Sequence, residues 1–169
     1  MNGDELRAIQ APLKERYRGD DKAGLVTLKA SGALDSEGIA CKVETGRALT
    51  VAGLHPATGG SGAELCSGDM LLEALVACAG VTLKAVATSL GITLRSGKVA
   101  AEGDLDFRGT LGVDKQAPVG FTDIRLKFEL NTDASQDQLD TLLKLTERYC
   151  VVLQSLRHSP NTEAAIKRA

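Results

Sequence analysis

The fold of this chain is decided by one long apolar stretch, residues 66–91, which reads CSGDMLLEALVACAGVTLKAVATSLG. Between Met70 and Ala87, only Glu73 and Lys84 carry a charge. These two residues are eleven positions apart, which places them about 20° from each other around a helix, so they share one face and leave the other faces apolar. The stretch therefore predicts a helix over Gly68–Leu90 that is buried in a protein core, rather than a membrane span.

The composition is that of an ordinary soluble domain. The chain has 169 residues, of which 43% are apolar and 25% charged, with a formal net charge of −2. That length suits one domain, or one domain that completes its core by dimerising. The near-neutral charge and an aromatic content of 3% without tryptophan argue against binding to nucleic acid or to an anionic membrane. Because Met1–Glu5 shows no secretory signal, we expect a cytoplasmic protein.

The rest of the chain separates into groups of strands and groups of helices, which predicts the α+β class. A capping box at Ser135–Gln138 predicts the start of a helix that continues through Cys150 to about His158. Before the long helix, we expect an amphipathic helix or arm over Gly3–Tyr17 that Pro12 interrupts, and then an antiparallel meander of three strands, from Leu25, over Ile39–Glu44 and over Arg47–Leu54, followed by the loop Pro56–Gly68. After the long helix, we expect the strand Ile92–Phe107, the surface loop Gly109–Gly120, and the strands Thr122–Asn131 and Ala164–Ile166.

Four cysteines, at positions 41, 66, 78 and 150, are the residues with the most chemistry to offer. Without a Cys-x-x-Cys pair, they indicate neither a disulfide scaffold nor a structural zinc site. Cys78 lies on the apolar side of the long helix, and Cys150 lies on the apolar stripe of the later helix. The sequence thus permits these two sulfurs to meet, although free cysteines are also common as inert core residues.

A reactive thiol needs a nearby cation or a helix N-terminus, and Cys78 lies too far into its helix for the latter. The candidate cations are Arg157, which is seven residues past Cys150, and Arg16, Arg18 and Arg47; spacing does not choose among them. Gly59–Gly62 lacks the Lys-Ser/Thr that a phosphate-binding loop requires. His55 and His158 are better explained by surface or capping roles than by metal ligation, so no metal or cofactor is predicted.

Several of these residues together resemble a known family. Residues 66–83, together with the preceding Gly59-Gly60, are similar to the central helix of the OsmC/Ohr proteins, the osmotically inducible and organic hydroperoxide resistance family. The shared pattern is a double glycine, an acidic residue that opens the helix, Leu-Leu, small residues and then a cysteine, which is Cys78 here. Residues 147–152, which contain Cys150, are similar to the second cysteine region of that family. The order of strands and helices agrees from Leu25 to Ala169, which would divide the chain into an N-terminal helix or arm over 1–24 and an OsmC-like domain over 25–169.

Membership would imply an intertwined homodimer with active sites at the subunit interface, and a thiol-dependent peroxidase that reduces organic hydroperoxides. Cys78 would be the peroxide-reactive thiolate and Cys150 the resolving thiol, in a disulfide that a lipoyl or thioredoxin-type dithiol reduces. Asp69 would be the catalytic acid, since it is the acid nearest to the family position, which is Gly68 here. The arginine that hydroperoxide-resistance members carry in the first strand has no counterpart in Ser31–Asp35. This departure favours the alternative of a protein that binds a small apolar or electrophilic ligand in the dimer cleft without efficient turnover.

Overall fold

The computed structural model describes residues 3–34, 41–43, 52–63 and 65–168. Strands and helices are segregated, so the predicted α+β class is confirmed. The elements, in chain order, are α1 (Gly3–Gly19), β1 (Leu25–Leu34), β2 (Cys41–Val43), β3 (Ala52–Gly53), β4 (Leu65–Cys66), α2 (Ser67–Ser89), β5 (Ser96–Asp106), α3 (Phe107–Thr110), β6 (Phe121–Asn131), α4 (Gln136–Tyr149) and α5 (Val151–Arg157).

The main sheet is antiparallel and has the strand order β2-β1-β5-β6. Alternate residues of its central strand β5, namely Val99, Ala101 and Leu105, are buried on one face of the sheet. This period of two is what a strand with a single covered face requires. A shift of the β5–β6 register lies between Asp104 and Leu105.

Helix α2 covers the apolar face of this sheet and supplies more of the described buried apolar residues than any other element. Its buried residues recur every three or four positions and pack on β1, α4 and β5; they are Leu72, Leu75, Val76, Ala79, Gly80, Leu83 and Ala87. By length and composition alone this helix is apolar enough to cross a membrane. Because the helix packs against the sheet, its apolar residues are explained by its position as the core helix of the domain. Its end agrees with the prediction, since Gly91 follows it with a φ of +69°.

Helix α4 begins as the sequence predicts but ends earlier. Ser135 accepts the backbone N–H of Gln138 through its hydroxyl, and the Gln138 side chain accepts the backbone N–H of Ser135, which completes the capping box. The expectation of one continuous helix through Cys150 is wrong. Cys150 has extended backbone angles (φ −71°, ψ 104°), so α4 ends at Tyr149 and α5 starts afresh at Val151.

Two predictions for the N-terminal half also require correction. Helix α1 continues through Pro12 because tertiary contacts hold both of its halves: Tyr17 is buried and donates to the Ala57 carbonyl at 2.7 Å, and Gln10 donates to the Thr58 carbonyl at 3.3 Å. The meander is wrong at its third strand. Of the predicted strand Arg47–Leu54, the structure describes the strand Ala52–Gly53, which pairs in parallel with β4; residues 47–51 lie outside the described residues.

Two connecting segments differ from the prediction as well. Within the expected loop Pro56–Gly68 the chain forms a 3-10 turn over Pro56–Thr58 and then β4. The strand expected at Ala164–Ile166 does not form; these residues are exposed and irregular, and Ile166 is fully exposed. A strand needs hydrogen-bond partners from a neighbouring strand, and no described strand lies beside this segment.

Candidate functional site

The structure brings Cys78 and Cys150 together. Cys78 projects from α2 and is half-buried, whereas Cys150 is fully buried (0% exposed) at the junction of α4 and α5. The two thiols are close enough for Cys78 to influence the acidity of Cys150, and Cys78 packs against the core cluster that contains Cys150, Leu75 and Val76. This contact joins two residues 72 positions apart in the sequence, the pair that the sequence permits but does not establish.

Burial dominates the acidity of the inner thiol. Burial, with a smaller contribution from the neighbouring Cys78, raises the pKa of Cys150 from an ordinary value of 9.0 to about 11. The first backbone N–H groups of α5, those of Val152 and Leu153, oppose this rise. They face the sulfur without completing a side-chain cap, so their effect is smaller than that of burial. At neutral pH, Cys150 is therefore a protonated thiol that can donate a hydrogen bond to the sulfur of Cys78.

Local contacts explain why the chain breaks at Cys150 and not elsewhere. The side-chain amide of Gln154 donates to the Glu147 carbonyl at 2.7 Å, which satisfies one of the free carbonyls at the end of α4. Arg157 then forms an ion pair with the Glu147 carboxylate at 2.8 Å. Both contacts reach back from α5 to α4 across the break, and they keep the two helices at a fixed angle with Cys150 between them.

The break also decides the role of Arg157. The sequence makes it a candidate to activate the thiols if one helix runs through Cys150, but the helix does not continue and Arg157 binds Glu147 instead. Arg16 lies over the Tyr17 ring, at 6.0 Å from its centroid, and Arg18 binds Glu15. These three arginines are therefore engaged elsewhere. Arg47, the fourth candidate, lies outside the described residues.

Asp69 belongs to a different cluster, at the start of α2. It lies near His55 and Glu73, and burial raises the pKa of Asp69 while the charge of His55 lowers it. Burial, and then the charge of Asp69, raise the pKa of Glu73; burial lowers the pKa of His55. Asp69 precedes Cys78 by nine residues, which is half a turn around the helix and about 13 Å along it. The structure therefore places Asp69 on the face of α2 opposite Cys78.

His55 is a member of this cluster that sequence reasoning did not find. Its Nδ1 accepts the backbone N–H of Ala57 at 3.0 Å, which confirms the expected capping role. Its ring also stacks on Phe107, with ring centroids 4.8 Å apart and planes 16° from parallel. Nothing in the sequence spacing connects His55 to Asp69 or Phe107, because the three residues come from separate elements.

Two apolar surfaces lie beside the cysteine pair. The first is a seam along α2 whose members recur every three or four residues: Leu71, Ala74, Cys78, Val81 and Ala85. Within this seam, the side chains of Leu71 and Val81 are 37% and 39% exposed. The second is a groove of about 540 Å³ between β6 and helices α4 and α5. Phe121, Leu126 and Leu156 line this groove, and Leu153 lies both in the groove and in the core cluster of Cys150.

The other two cysteines lie apart from this pair. Cys66 is half-buried and immediately precedes α2, where it packs against the core. The side chain of Cys41 is outside the described part of the structure. Among the described residues, no group of three or more His, Cys, Asp or Glu side chains is arranged to hold a metal ion.

A long central helix on an antiparallel sheet, with one thiol on that helix and a second at a later helix junction, defines an α+β protein with a paired-cysteine site. The family model of the OsmC-like proteins matches residues 60–165, which include both cysteines, and the chain belongs to this family. Among solved structures, it is similar to an OsmC-like hydroperoxide resistance protein from Jannaschia sp. CCS1, with a TM-score of 0.62 and 14% sequence identity over 86% of this chain and 95% of that one. Comparison with curated proteins gives no match.

Proposed function

We propose that this protein is a thiol-dependent peroxidase that reduces organic hydroperoxides in the cytoplasm. The observation that carries the proposal is the proximity of Cys78 and Cys150 in one core cluster, since two neighbouring sulfurs can form a disulfide without a large rearrangement. Membership of the OsmC-like family, and the likeness to a protein described as a hydroperoxide resistance protein, support the same chemistry.

The proposed reaction has two steps on the protein. The Cys78 thiolate attacks the terminal oxygen of the hydroperoxide, the O–O bond breaks, and an alkoxide leaves and takes up a proton to become the alcohol. Cys78 is then a sulfenic acid. The thiolate of Cys150 attacks the Cys78 sulfur, hydroxide leaves and is protonated to water, and a disulfide remains. An external dithiol of lipoyl or thioredoxin type reduces that disulfide and is itself oxidised.

A non-reducing peptide map after one equivalent of cumene hydroperoxide tests the proposal. We expect a Cys78–Cys150 linkage in the wild type and in Cys66→Ser, which serves as a matched control. In Cys150→Ser the sulfenic acid of Cys78 should accumulate and react with dimedone. Four free thiols, or oxidation distributed over Cys66 and Cys41, would contradict the peroxidase. Addition of reduced lipoamide or thioredoxin to the oxidised protein then identifies the class of reductant.

We propose a positioning role for Asp69 rather than direct contact with the peroxide. It lies half a turn away from Cys78, and its described partners are His55 and Glu73. We therefore expect Asp69→Asn to leave the alkylation rate of Cys78 by iodoacetamide unchanged, while it shifts the pKa of His55 downwards because a neighbouring negative charge is lost. A clear fall in the alkylation rate would restore Asp69 as a catalytic acid.

We also propose that the protein is a homodimer. The seam of α2 supports this assignment, because its spacing of three and four residues is the one that packs against a second helix and its apolar members are partly exposed in one chain. Val81→Lys should shift the protein towards monomer in sedimentation. Val119→Lys, at a valine that is 76% exposed and away from the seam, is the matched control. A monomeric wild type at micromolar concentration would exclude the dimer.

The second candidate is a protein that binds a small apolar or electrophilic ligand without efficient peroxide turnover. The groove beside β6 favours it, since about 540 Å³ with mostly apolar walls suits a small apolar molecule. Steady-state turnover separates the two candidates. Binding of an apolar fluorophore, together with one round of disulfide formation but no catalytic cycling, would support the ligand-binding protein.

A further inference from the structure

The hydroxyl of Thr146 is the one buried side-chain oxygen or nitrogen of the described residues that has no hydrogen-bond partner there. Thr146 is 1% exposed, so bulk water does not reach it. In a helix, a threonine hydroxyl commonly bonds to the carbonyl four residues earlier. Thr88 and Thr141 of this protein do so, at 2.8 and 2.9 Å. Thr146 does not, and its hydroxyl is therefore available for a partner from outside its own helix.

The position of Thr146 puts this hydroxyl beside the cysteine pair. Leu142, Thr146 and Cys150 follow one another at intervals of four residues and are all buried, so they form one stripe towards α2. Leu142 packs with Leu83 in the core, and Cys150 contacts Cys78. Thr146 thus lies one turn before Cys150, whose backbone N–H donates to the Thr146 carbonyl at 2.9 Å.

The reduced site offers this hydroxyl only weak partners, because a thiol sulfur is a poor hydrogen-bond acceptor. A buried hydroxyl without a partner costs free energy, and valine would occupy the same volume without that cost. The oxidised site differs: the proposed reaction transfers an oxygen atom to Cys78, and a sulfenic acid or sulfenate oxygen accepts hydrogen bonds well. Oxidation therefore creates an acceptor next to a donor that has none in the reduced protein.

We propose that Thr146 is a positioning residue that donates a hydrogen bond to the oxygen of the Cys78 sulfenic acid formed by peroxide reduction, and so holds that sulfenic acid for attack by the Cys150 thiolate. This inference rests on the proposed function. The hydrogen bond changes no covalent bond; it orients the Cys78 S–O bond so that hydroxide can leave as the Cys150 sulfur approaches. It also reduces the time during which a second peroxide can oxidise Cys78 to the sulfinic acid.

The test compares Thr146→Val, which removes the hydroxyl, with Thr146→Ser, which keeps it. After a pulse of cumene hydroperoxide, rapid quenching and mass spectrometry give the rate at which the sulfenic acid becomes the disulfide. We expect this rate to fall about tenfold in Thr146→Val, with more sulfinic acid on Cys78, and to return in Thr146→Ser. The reduced Thr146→Val protein should unfold at the same temperature as the wild type or a higher one, whereas a purely structural hydroxyl would lower it.

The possible outcomes are distinct. Disulfide closure at the wild-type rate in Thr146→Val overturns the role of Thr146 and leaves the peroxidase intact. A reduced Thr146→Val protein that is less stable than the wild type assigns the hydroxyl to folding and also overturns the inference. A wild type that forms no Cys78–Cys150 disulfide overturns both this inference and the proposed function.

Discussion

Raising the pH from 8 to 11 should destabilise the folded protein through one buried thiol, that of Cys150. Burial raises its pKa from 9.0 to about 11 in the folded state. The fold therefore favours the protonated thiol, and its stabilising contribution is complete below pH 9 and disappears as the pH rises through 11. Each unit of pKa difference corresponds to about 1.4 kcal/mol. The expected loss is thus about 1 kcal/mol at pH 10, and it approaches about 3 kcal/mol above pH 11.

Urea unfolding of the reduced wild type and of Cys150→Ala, from pH 7.5 to pH 10.5, measures this contribution. Other groups also titrate in this range, including Tyr17, whose pKa is raised by burial. Because both proteins retain those groups, their effects cancel in the difference between the two free energies of unfolding. At pH 7.5 the variant should be less stable, since it lacks the packing of a fully buried sulfur.

The diagnostic result is convergence of the two curves. The advantage of the wild type should shrink by about 1 kcal/mol between pH 7.5 and pH 10. A constant difference across this range would refute the reasoning, because it would mean that Cys150 titrates equally in the folded and unfolded chains. Burial and contact with Cys78 would then not control the acidity of this thiol.

Three further predictions follow from particular contacts. Gly103→Ala should lower the free energy of unfolding by about 1–3 kcal/mol, because a Cβ at this position would lie 2.4 Å from the Phe121 ring. Gly19→Ala is the control and should not lower it, since nothing lies within 4 Å of a Cβ there. Equal effects of the two substitutions in urea unfolding would contradict this packing. Arg157→Ala should leave the alkylation rate of the peroxide-reactive thiol unchanged, since this arginine binds the end of α4; slower alkylation would return it to the site. Disulfide closure after a peroxide pulse should accelerate about tenfold per pH unit between pH 7 and 9, as the thiolate fraction of Cys150 grows, and a flat profile in quenched samples would exclude Cys150 as the attacking group.

The sequence by itself determined the elements that depend on neighbouring residues. Helix α2 follows from the apolar periodicity of residues 66–91 and from the glycine at its end, and the start of α4 follows from the reciprocal hydrogen bonds of its capping box. The two candidate cysteines could also be chosen, because each lies on the apolar side of a recognisable helix. All of these features are short-range consequences of side-chain polarity and backbone hydrogen bonding.

Tertiary contacts alone decided how the site is assembled. The break at Cys150 depends on contacts that reach from α5 back to Glu147, and the continuity of α1 through Pro12 depends on the anchoring of Tyr17. The cluster of His55 with Asp69 joins residues from separate elements. The missing partner of Thr146 is visible only when every neighbour of a buried atom is known. Such features depend on which surfaces meet in space, and local sequence patterns do not encode that information.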